Sequence, residues 1–374
     1  MARIELQTLS PVHVGSGRFL QSNMEYVFGK ENIGVVDEHK VFNLLGEDRI
    51  SAWVASIERG ESLVAFLKGF DLNFTLQKIS GRIISLACEK SLAKDCASLK
   101  ENIHNGQGLP YLPGSSIKGS IRSALFNQII RERSTGIEPH KIENRGKISA
   151  SVLEKEIFGN DPNHDVFRFL RVGDAYFRPN GTVALMMENL NIKERAGEEV
   201  AVKDSSKKQL VEAIGTGEKA DFVINIDKVG IKLNSDSHQI RNFPAGFESI
   251  VSLFKLINRN TEMILEMELK FWEEYQDDIA LNYVEQLSHF LQKAKACNHG
   301  ECIMRMSHGS GWSFITGGWS KESYLVEDDL YWKIRRASRP GEESRYSHLP
   351  FPKSRRISSS IELPGMVLLR IKEE

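Results

Sequence analysis

The stretch Gly108–Ile130, GLPYLPGSSIKGSIRSALFNQII, decides how the rest of the chain is read. Three glycines, two prolines and a Ser-Ser step fall within it, and an apolar pattern follows. Pro113-Gly114 stops the preceding segment, and Ser115 or Ser116 suits the N-cap of a helix. Ile117, Ile121, Leu125 and Ile129 recur every four residues, which predicts a buried stripe. Lys118 and Arg122, also four apart, share another face of the same turns. Unpaired amides and the positive end of the helix dipole favour an anion at such a terminus, and two cations strengthen that preference. Gly119 lets a ligand approach closely. The competing reading is an ordinary capped helix with a solvated basic face.

Working outward, 374 residues with 41% hydrophobic and 26% charged side chains predict a chain folded throughout, and the length is that of about two domains. The net charge of −1 requires any nucleic-acid contact to come from local clustering of cations rather than from a globally basic surface. No apolar run approaches the roughly 18 residues of a membrane helix. The opening MARIELQTLSPVHVGSG alternates like a strand and lacks the apolar centre of a signal peptide, so a cytoplasmic protein is expected. Cys88, Cys96, Cys297 and Cys302 fit a reducing compartment. Cys297, His299, Cys302 and His308 lie close in sequence but lack the paired short spacings of a zinc site, so neither a metal nor another cofactor is expected.

Along the chain, strand signals open the sequence and a hairpin turns at Gly29–Asn32, feeding a helix after Asp37. Residues 50–100 read as mostly helical, including IISLACEKSLAKDCASL. Residues 131–149 carry no period and read as an exposed loop. VLEKEIFG reads as a short helix closed by Gly159, and two strands flank Pro179-Asn180-Gly181. The charged excursion after Lys193 reads as a mobile hairpin or loop that ends in the strand ADFVINI. Helical periodicity spans Phe247 to about Cys297, and GMVLLRIK closes the chain as a strand. The order of strand, helices, strands, then strand, helices, strand predicts an α+β chain with two similar halves.

Three further segments could meet nucleic acid. PVHVGSGRF sets His13, Gly15, Ser16 and Arg18 around a glycine turn, a pattern suited to a phosphate or ribose contact; His13 is also a possible general base in RNA cleavage. HGSGWSFITGGW surrounds Trp312, Phe314 and Trp319 with glycines, Gly309 and Gly311 among them, which suits base stacking on a single strand or simply a buried turn. From Lys333 to Arg356, eight cations stand against Glu342 and Glu343 alone, with Tyr346 and Phe351 interleaved, and Arg335, Arg336, Arg355 and Arg356 mark a candidate backbone-tracking arm. A solvated basic loop is the alternative.

Together, LSPVHVGSG, LPYLPGSSIKGSIRSAL, LRVGDAYF, GSGWSFITGGW and LPGMVLLRI resemble the RAMP family, the RNA-binding subunits of type III CRISPR effector complexes. Length and motif order are most similar to the fifth Csm subunit of the type III-A complex. Met366 departs from the pattern, since relatives often carry a tryptophan after that glycine. The resemblance implies two RRM-like (ferredoxin-like) halves with inserted helices and loops, which would fall at 1–178 and 179–374, the second carrying the glycine-rich loop. It implies a non-catalytic subunit that binds CRISPR RNA (crRNA), caps its 3′ side and promotes 3′-end maturation. The partners implied are the backbone RAMP subunits, the small helical Csm subunit, host nucleases and nearby target RNA. Site residues implied are His13, Gly15, Ser16, Arg18, Gly114, Ser115, Ser116, Lys118, Gly119, Arg122, Gly309, Gly311, Trp312, Arg335, Arg336, Arg355 and Arg356, with Lys118 and Arg122 aimed at phosphates. The alternatives are a metal-independent endoribonuclease using His13 with Lys118 or Arg122, or a neighbouring RAMP subunit of a type III complex.

Overall fold

Alternation along Ala2–Thr8 buries Ile4, Leu6 and Thr8 on one side, and this strand becomes the middle of a five-stranded sheet. The computed structural model describes residues 1–72, 74–133, 136–144, 147–236, 243–321, 326–338 and 348–372. Across the first sheet the strands run Leu170–Val172, Lys219–Ile226, Ala2–Thr8, Met366–Ile371 and Glu301–Arg305, each antiparallel to its neighbour. The helices Gly114–Arg131 and Ile250–Trp272 cover one face: Ile117, Ile121 and Leu125 join Leu253, Phe254 and Ile257 against Ile4, Leu6 and Ile224. Taken in chain order, Ala2–Thr8, Gly114–Arg131, Leu170–Val172, Lys219–Ile226, Ile250–Trp272 and Met366–Ile371 follow the strand–helix–strand–strand–helix–strand plan of a ferredoxin-like unit. Glu301–Arg305 adds an edge strand to it.

The second sheet runs Gly15–Gln21, Ser98–Asn102, Glu198–Ile214, Thr182–Arg195, Ser80–Leu86, Asn32–Val36 and Tyr26–Phe28, with Ser354–Ser358 also paired to Thr182–Arg195. Its spine is the hairpin Thr182–Arg195/Glu198–Ile214, which turns at Ala196 and Gly197, both at positive φ. The antiparallel helices Ile250–Trp272 and Asp278–Lys295 support the far end of that ribbon.

The fold is thus mixed α+β, and several expectations need correction. The expected division at 178/179 does not follow the sheets. The first sheet joins both ends of the chain to strands on either side of that point, and the second sheet also mixes strands from both sides. The stretch read as helical from Ile83 is instead the strand Ser80–Leu86, the short helix Lys90–Lys94 and the strand Ser98–Asn102. There the β-branched pair Ile83-Ile84 pairs with Gly34 and Ile33, so tertiary pairing overrides local periodicity. Of the two readings of the charged excursion after Lys193, hairpin or loop, the structure shows the hairpin, as regular ribbon. Ile192 and Ala201 are buried beside Trp272 and Tyr283, Asp277 accepts the Ala201 amide at 2.9 Å, and the Tyr275 hydroxyl donates to Glu199 at 2.8 Å. Residues 131–149 are not wholly exposed, since Ile137 and Ile142 enter the core. Among the described residues no helix is long and apolar enough to cross a membrane.

Strand alternation also separates two neighbouring arginines. Arg355 points inward from Ser354–Ser358 and meets Glu268 of Ile250–Trp272, with Nε–Oε2 at 2.5 Å and Nη2–Oε1 at 2.9 Å. The guanidinium lies against Phe271 and Trp272 and also donates to the Pro352 carbonyl. Burial alone would raise the Glu268 carboxyl, but Arg355 and then Lys321 outweigh it and hold it at about 2. The expectation that Arg355 faces RNA is therefore corrected: its guanidinium is enclosed and spent on a carboxylate. Gly114, at the head of the helix, presses against a backbone, and a Cβ there would lie 2.2 Å from the Val172 carbonyl oxygen and 2.8 Å from that of Gly173.

Two outcomes follow from this packing. Arg355→Met should destabilise the fold by about 3–5 kcal/mol, because it leaves Glu268 charged and buried, and Glu268→Leu in the same chain should recover much of that loss in urea unfolding. Gly114→Ala should cost about 1–3 kcal/mol through overpacking, whereas Ser115→Ala on the exposed neighbour should stay within about 0.5 kcal/mol.

Candidate nucleic-acid interface

The head of Gly114–Arg131 is occupied by the protein itself. Pro113 takes the N-cap position with no side-chain cap, so neither Ser115 nor Ser116 caps the helix; both lie inside its first turn. The Gly114 amide donates to Asp174 Oδ1 at 2.7 Å, which makes Asp174, two residues before its other partner Tyr176, the anion at this terminus. Arg122 does not reach outward. Its Nε meets Glu154 Oε1 at 2.9 Å, its Nη1 meets Asp165 Oδ2 at 2.8 Å, and its guanidinium stacks over Phe158 and Phe167. The expectation of Arg122 on a phosphate is corrected by those two carboxylates. Lys118 is different: half-buried, it makes no ion pair among the described residues, and burial lowers its ammonium pKa against the pull of Asp165. Gly119 is exposed beside it.

A second group assembles where the chain crosses from the first sheet to the second. After Ala2–Thr8, the Leu9 amide bonds the Met366 carbonyl and Val12 bridges to Ile214. His13 is thereby buried, 3% exposed, with Nδ1 2.6 Å from the Glu212 carbonyl oxygen. A carbonyl only accepts, so Nδ1 carries the proton and Nε2 presents a lone pair. That Nε2 has no protein partner. The imidazole of His308 stands edge-on at 5.5 Å, and its Nε2 is likewise buried without a partner. The His308 amide donates to the His13 carbonyl at 3.2 Å, and Arg305 clamps the loop through the Gly309 and Pro364 carbonyls at 2.9 Å each.

Two cations border this pair. Lys100 comes from Ser98–Asn102, and a Cβ added to Gly15 would lie 3.3 Å from His13 Nε2 and 3.5 Å from Lys100 Cε. Arg356, outward-facing where Arg355 is inward, runs beside Gly309 and donates to the Lys207 carbonyl at 2.9 Å. Among the described residues neither Lys100 nor Arg356 has a carboxylate partner. Glu212, whose backbone holds His13, turns its carboxylate to Arg82 Nε at 3.1 Å and Nη2 at 2.9 Å, to the Thr182 hydroxyl and to the Asn102 amide. Desolvation lowers both histidines to about 4; His308 and Lys100 add to it at His13, and Lys100 and Arg356 at His308.

The exposed strand beyond, Gly15–Gln21, carries Ser16, whose hydroxyl bonds Glu101 at 2.9 Å, and Arg18, paired with Glu25 at 3.2 Å. Phe19, 53% exposed, pairs in register with Lys100. The aromatics of the glycine-rich block turn inward instead. Trp319 and Phe314 are buried, and Trp312, half-buried, packs edge-on to Phe351 over Gly317. Base stacking by that block is corrected to core packing, and Gly311 alone of its implied RNA-facing residues is fully exposed. The described parts of the basic segment turn most of their cations to the protein itself. Lys333 pairs with Glu143 at 2.7 Å, Arg335 stacks on Trp332 and donates to the Leu349 carbonyl, and exposed Arg336 shares the helix Asp328–Ser338 with them. Arg339, Arg345 and Tyr346 lie outside the described residues.

Of the residues singled out by sequence, His13, Gly15, Gly309 and Arg356 are brought together by the fold. Lys100 and Phe19 were not among them, and His308 stood only among metal-ligand candidates. Their link is sheet register, for which local sequence carries no signal.

Comparison with known proteins agrees with this architecture. The RAMP superfamily model matches residues 5–320. A curated relative, the CRISPR system Cms protein Csm5 of Streptococcus thermophilus, is 28% identical over 140 residues, covering 33% of this chain and 38% of that protein's own length. Among solved structures, a chain of a Csm–crRNA–target RNA ternary complex from a type III-A CRISPR-Cas system superposes with a TM-score of 0.66 at 21% identity, covering 99% of this chain and 100% of the other. The crystal structure of T. onnurineus Csm5 gives a TM-score of 0.62 at 16% identity, covering 97% of this chain and 99% of the other. With the matching model spanning most of its length, the chain belongs to the RAMP superfamily.

Proposed function

We propose that this chain is a crRNA-binding structural subunit of a type III-A CRISPR effector complex. In this reading it caps the 3′ side of the crRNA beside the backbone RAMP subunits and supports 3′-end maturation by nucleases it does not itself supply. Membership of such a complex and the RNA partner are supported by the likeness to Csm5 and to the ternary-complex chain, and the 3′ role is what the motif resemblance implies. The contact with RNA rests on one observation of this chain: His13 and Gly15, Lys100, His308 and Gly309, and Arg356 converge from four distant segments, and the two permanent cations there meet no carboxylate among the described residues. In a chain of net charge −1, such uncompensated charge favours a polyanion. Phe19 beside Lys100 offers a face on which a base can stack, and Lys118 offers a further phosphate contact. Contacts of this kind are to backbone and base faces, so guide sequence should matter little.

Metal-independent cleavage by His13 would need that ring within hydrogen-bond reach of a 2′-hydroxyl, so binding and cleavage are separated by whether RNA survives contact with the protein. The reading is tested by filter binding of a labelled crRNA over a salt series, with intact RNA scored on a gel. Lys100→Ala/Arg356→Ala should weaken binding and flatten the log–log salt slope by roughly 0.7, the contribution of one phosphate no longer neutralised. Arg122→Ala should leave the slope unchanged while lowering thermal stability, because its partners are protein carboxylates. RNA cut by the wild type and spared by His13→Ala would replace this reading with an endoribonuclease.

A further inference from the structure

We propose that the pocket formed by His13, Lys100, His308 and Arg356 seats one backbone phosphate of the bound RNA and takes up protons in doing so, so that RNA affinity rises as pH falls below neutral. The proposal rests on the RNA-binding reading above and adds to it a site, a ligand group and a pH response.

The argument begins with hydrogen-bond arithmetic. His13 donates through Nδ1 to the Glu212 carbonyl, which leaves Nε2 able only to accept. A phosphodiester oxygen also only accepts. The two can meet at hydrogen-bond distance only if Nε2 gains a proton, which turns a lone pair into a donor. His308 Nε2, buried and unpartnered at the edge of the same ring, meets the same requirement whenever its proton sits on Nδ1. Two unpartnered ring nitrogens inside a protein are an unfavourable arrangement unless something outside the chain completes them.

The surroundings state what that something is. The charged groups facing the two rings are Lys100 from Ser98–Asn102 and Arg356 from Ser354–Ser358; Glu212, on the strand behind His13, turns its carboxylate away into Arg82. His104 shares that Glu212 carboxylate at 3.5 Å and so belongs to the Arg82 side. The pocket thus carries two positive charges and no negative one among the described residues, and Gly15, exposed and without a side chain, lies over Nε2 and Lys100 Cε. A compact group with several acceptor oxygens and one negative charge fits that lining. Phe19, in register with Lys100, continues the surface for the attached nucleoside.

The sign of the pH effect follows from linkage. Without ligand, burial and the neighbouring cations hold both histidines near 4, so at pH 7 they are neutral. A seated phosphate stabilises the protonated rings, so the complex holds more protons than the free protein, and affinity rises by up to about tenfold per pH unit for each proton taken up. Folding stability runs the other way. A histidine lowered from its ordinary 6.5 disfavours the folded state as pH falls from about 6.5 toward about 4, so binding is best read between about pH 8 and pH 6. An RNA phosphodiester does not titrate in that range, which leaves the protein as the source of the effect.

The experiment is filter binding of a radiolabelled short uridine RNA to the full chain at constant ionic strength across that range. It is paired with titration calorimetry in two buffers of different ionisation enthalpy, which counts protons directly. Expected are tighter binding at the lower pH, proton uptake near one or two per complex, and a flattened pH profile in His308→Gln, whose amide N–H donates without taking up a proton. His13→Gln is the second variant, used if circular dichroism shows it folded; the calorimetry on the wild type needs no variant. RNA binding that is pH-independent and releases no buffer heat would overturn the pocket while leaving the RNA-binding reading intact. Absence of RNA binding at every pH would overturn both. Sulfate, which does not titrate in that range, driving the same proton uptake, with RNA affinity equal in wild type and Lys100→Ala/Arg356→Ala, would assign the pocket to a free anion and overturn its place on the RNA.

Discussion

The structure depends on the placement of Ala2–Thr8 between Lys219–Ile226 and Met366–Ile371. That register carries the start of the chain, its middle and its end in one sheet, and it fixes what comes immediately afterwards. The Leu9 amide to Met366, Gly365 to Pro11, and the Val12–Ile214 bridge leave the next residues no latitude. His13 therefore enters the junction of the two sheets as a consequence of strand pairing more than two hundred residues away in sequence. A slip of one residue in this register would exchange the faces of Ile4 and Leu6 and carry His13 away from Glu212. The candidate interface is thus a product of the central sheet rather than of a mobile loop.

Charge at the interface is decided by the same geometry. A chain with almost equal numbers of acids and bases can expose a positive site only by pairing most of its cations elsewhere. Arg355 and Arg356 show how this is done. The two-residue repeat of a strand sends one into the ion cluster with Glu268, where it braces the long helix, and leaves the other beside His308. Arg82 acts in the same way from the opposite side. On the other face of the sheet from Lys100 it occupies the carboxylates of Glu212 and Glu101. Positive character at the pocket comes from where carboxylates are withheld.

Much of this was legible locally. The stripe Ile117, Ile121 and Leu125 was readable as a helix face, as were the helices from Phe247 onward and the alternation at both chain ends, because each signal repeats within a few residues. The glycine motifs near His13 and His308 were recognisable as places of close backbone approach. What could not be read depended on partners far apart in sequence. The carboxylates that claim Arg122, Glu154 and Asp165, lie 32 and 43 residues downstream. Ser80–Leu86 is a strand because Asn32–Val36 and Thr182–Arg195 border it, although its apolar spacing also suits a helix. Gly114 looked like a turn breaker before a cap, whereas its use is to let a helix start against the backbone of Val172 and Gly173.

An unpartnered buried nitrogen costs about 1–3 kcal/mol, and the junction carries two of them next to two unneutralised cations. No group of the chain completes either nitrogen, while the Glu212 carbonyl, the His308–His13 backbone bond and the Arg305 contacts hold the rings in place. Sites tolerate such local strain when a ligand relieves it. A side chain at position 15 would sit against His13 Nε2, its Cβ 3.3 Å away, and glycine stands there instead. Arg82 holds the Glu212 carboxylate on the other face of the sheet. Both features leave the pocket open in the same direction, toward an anion that arrives from outside.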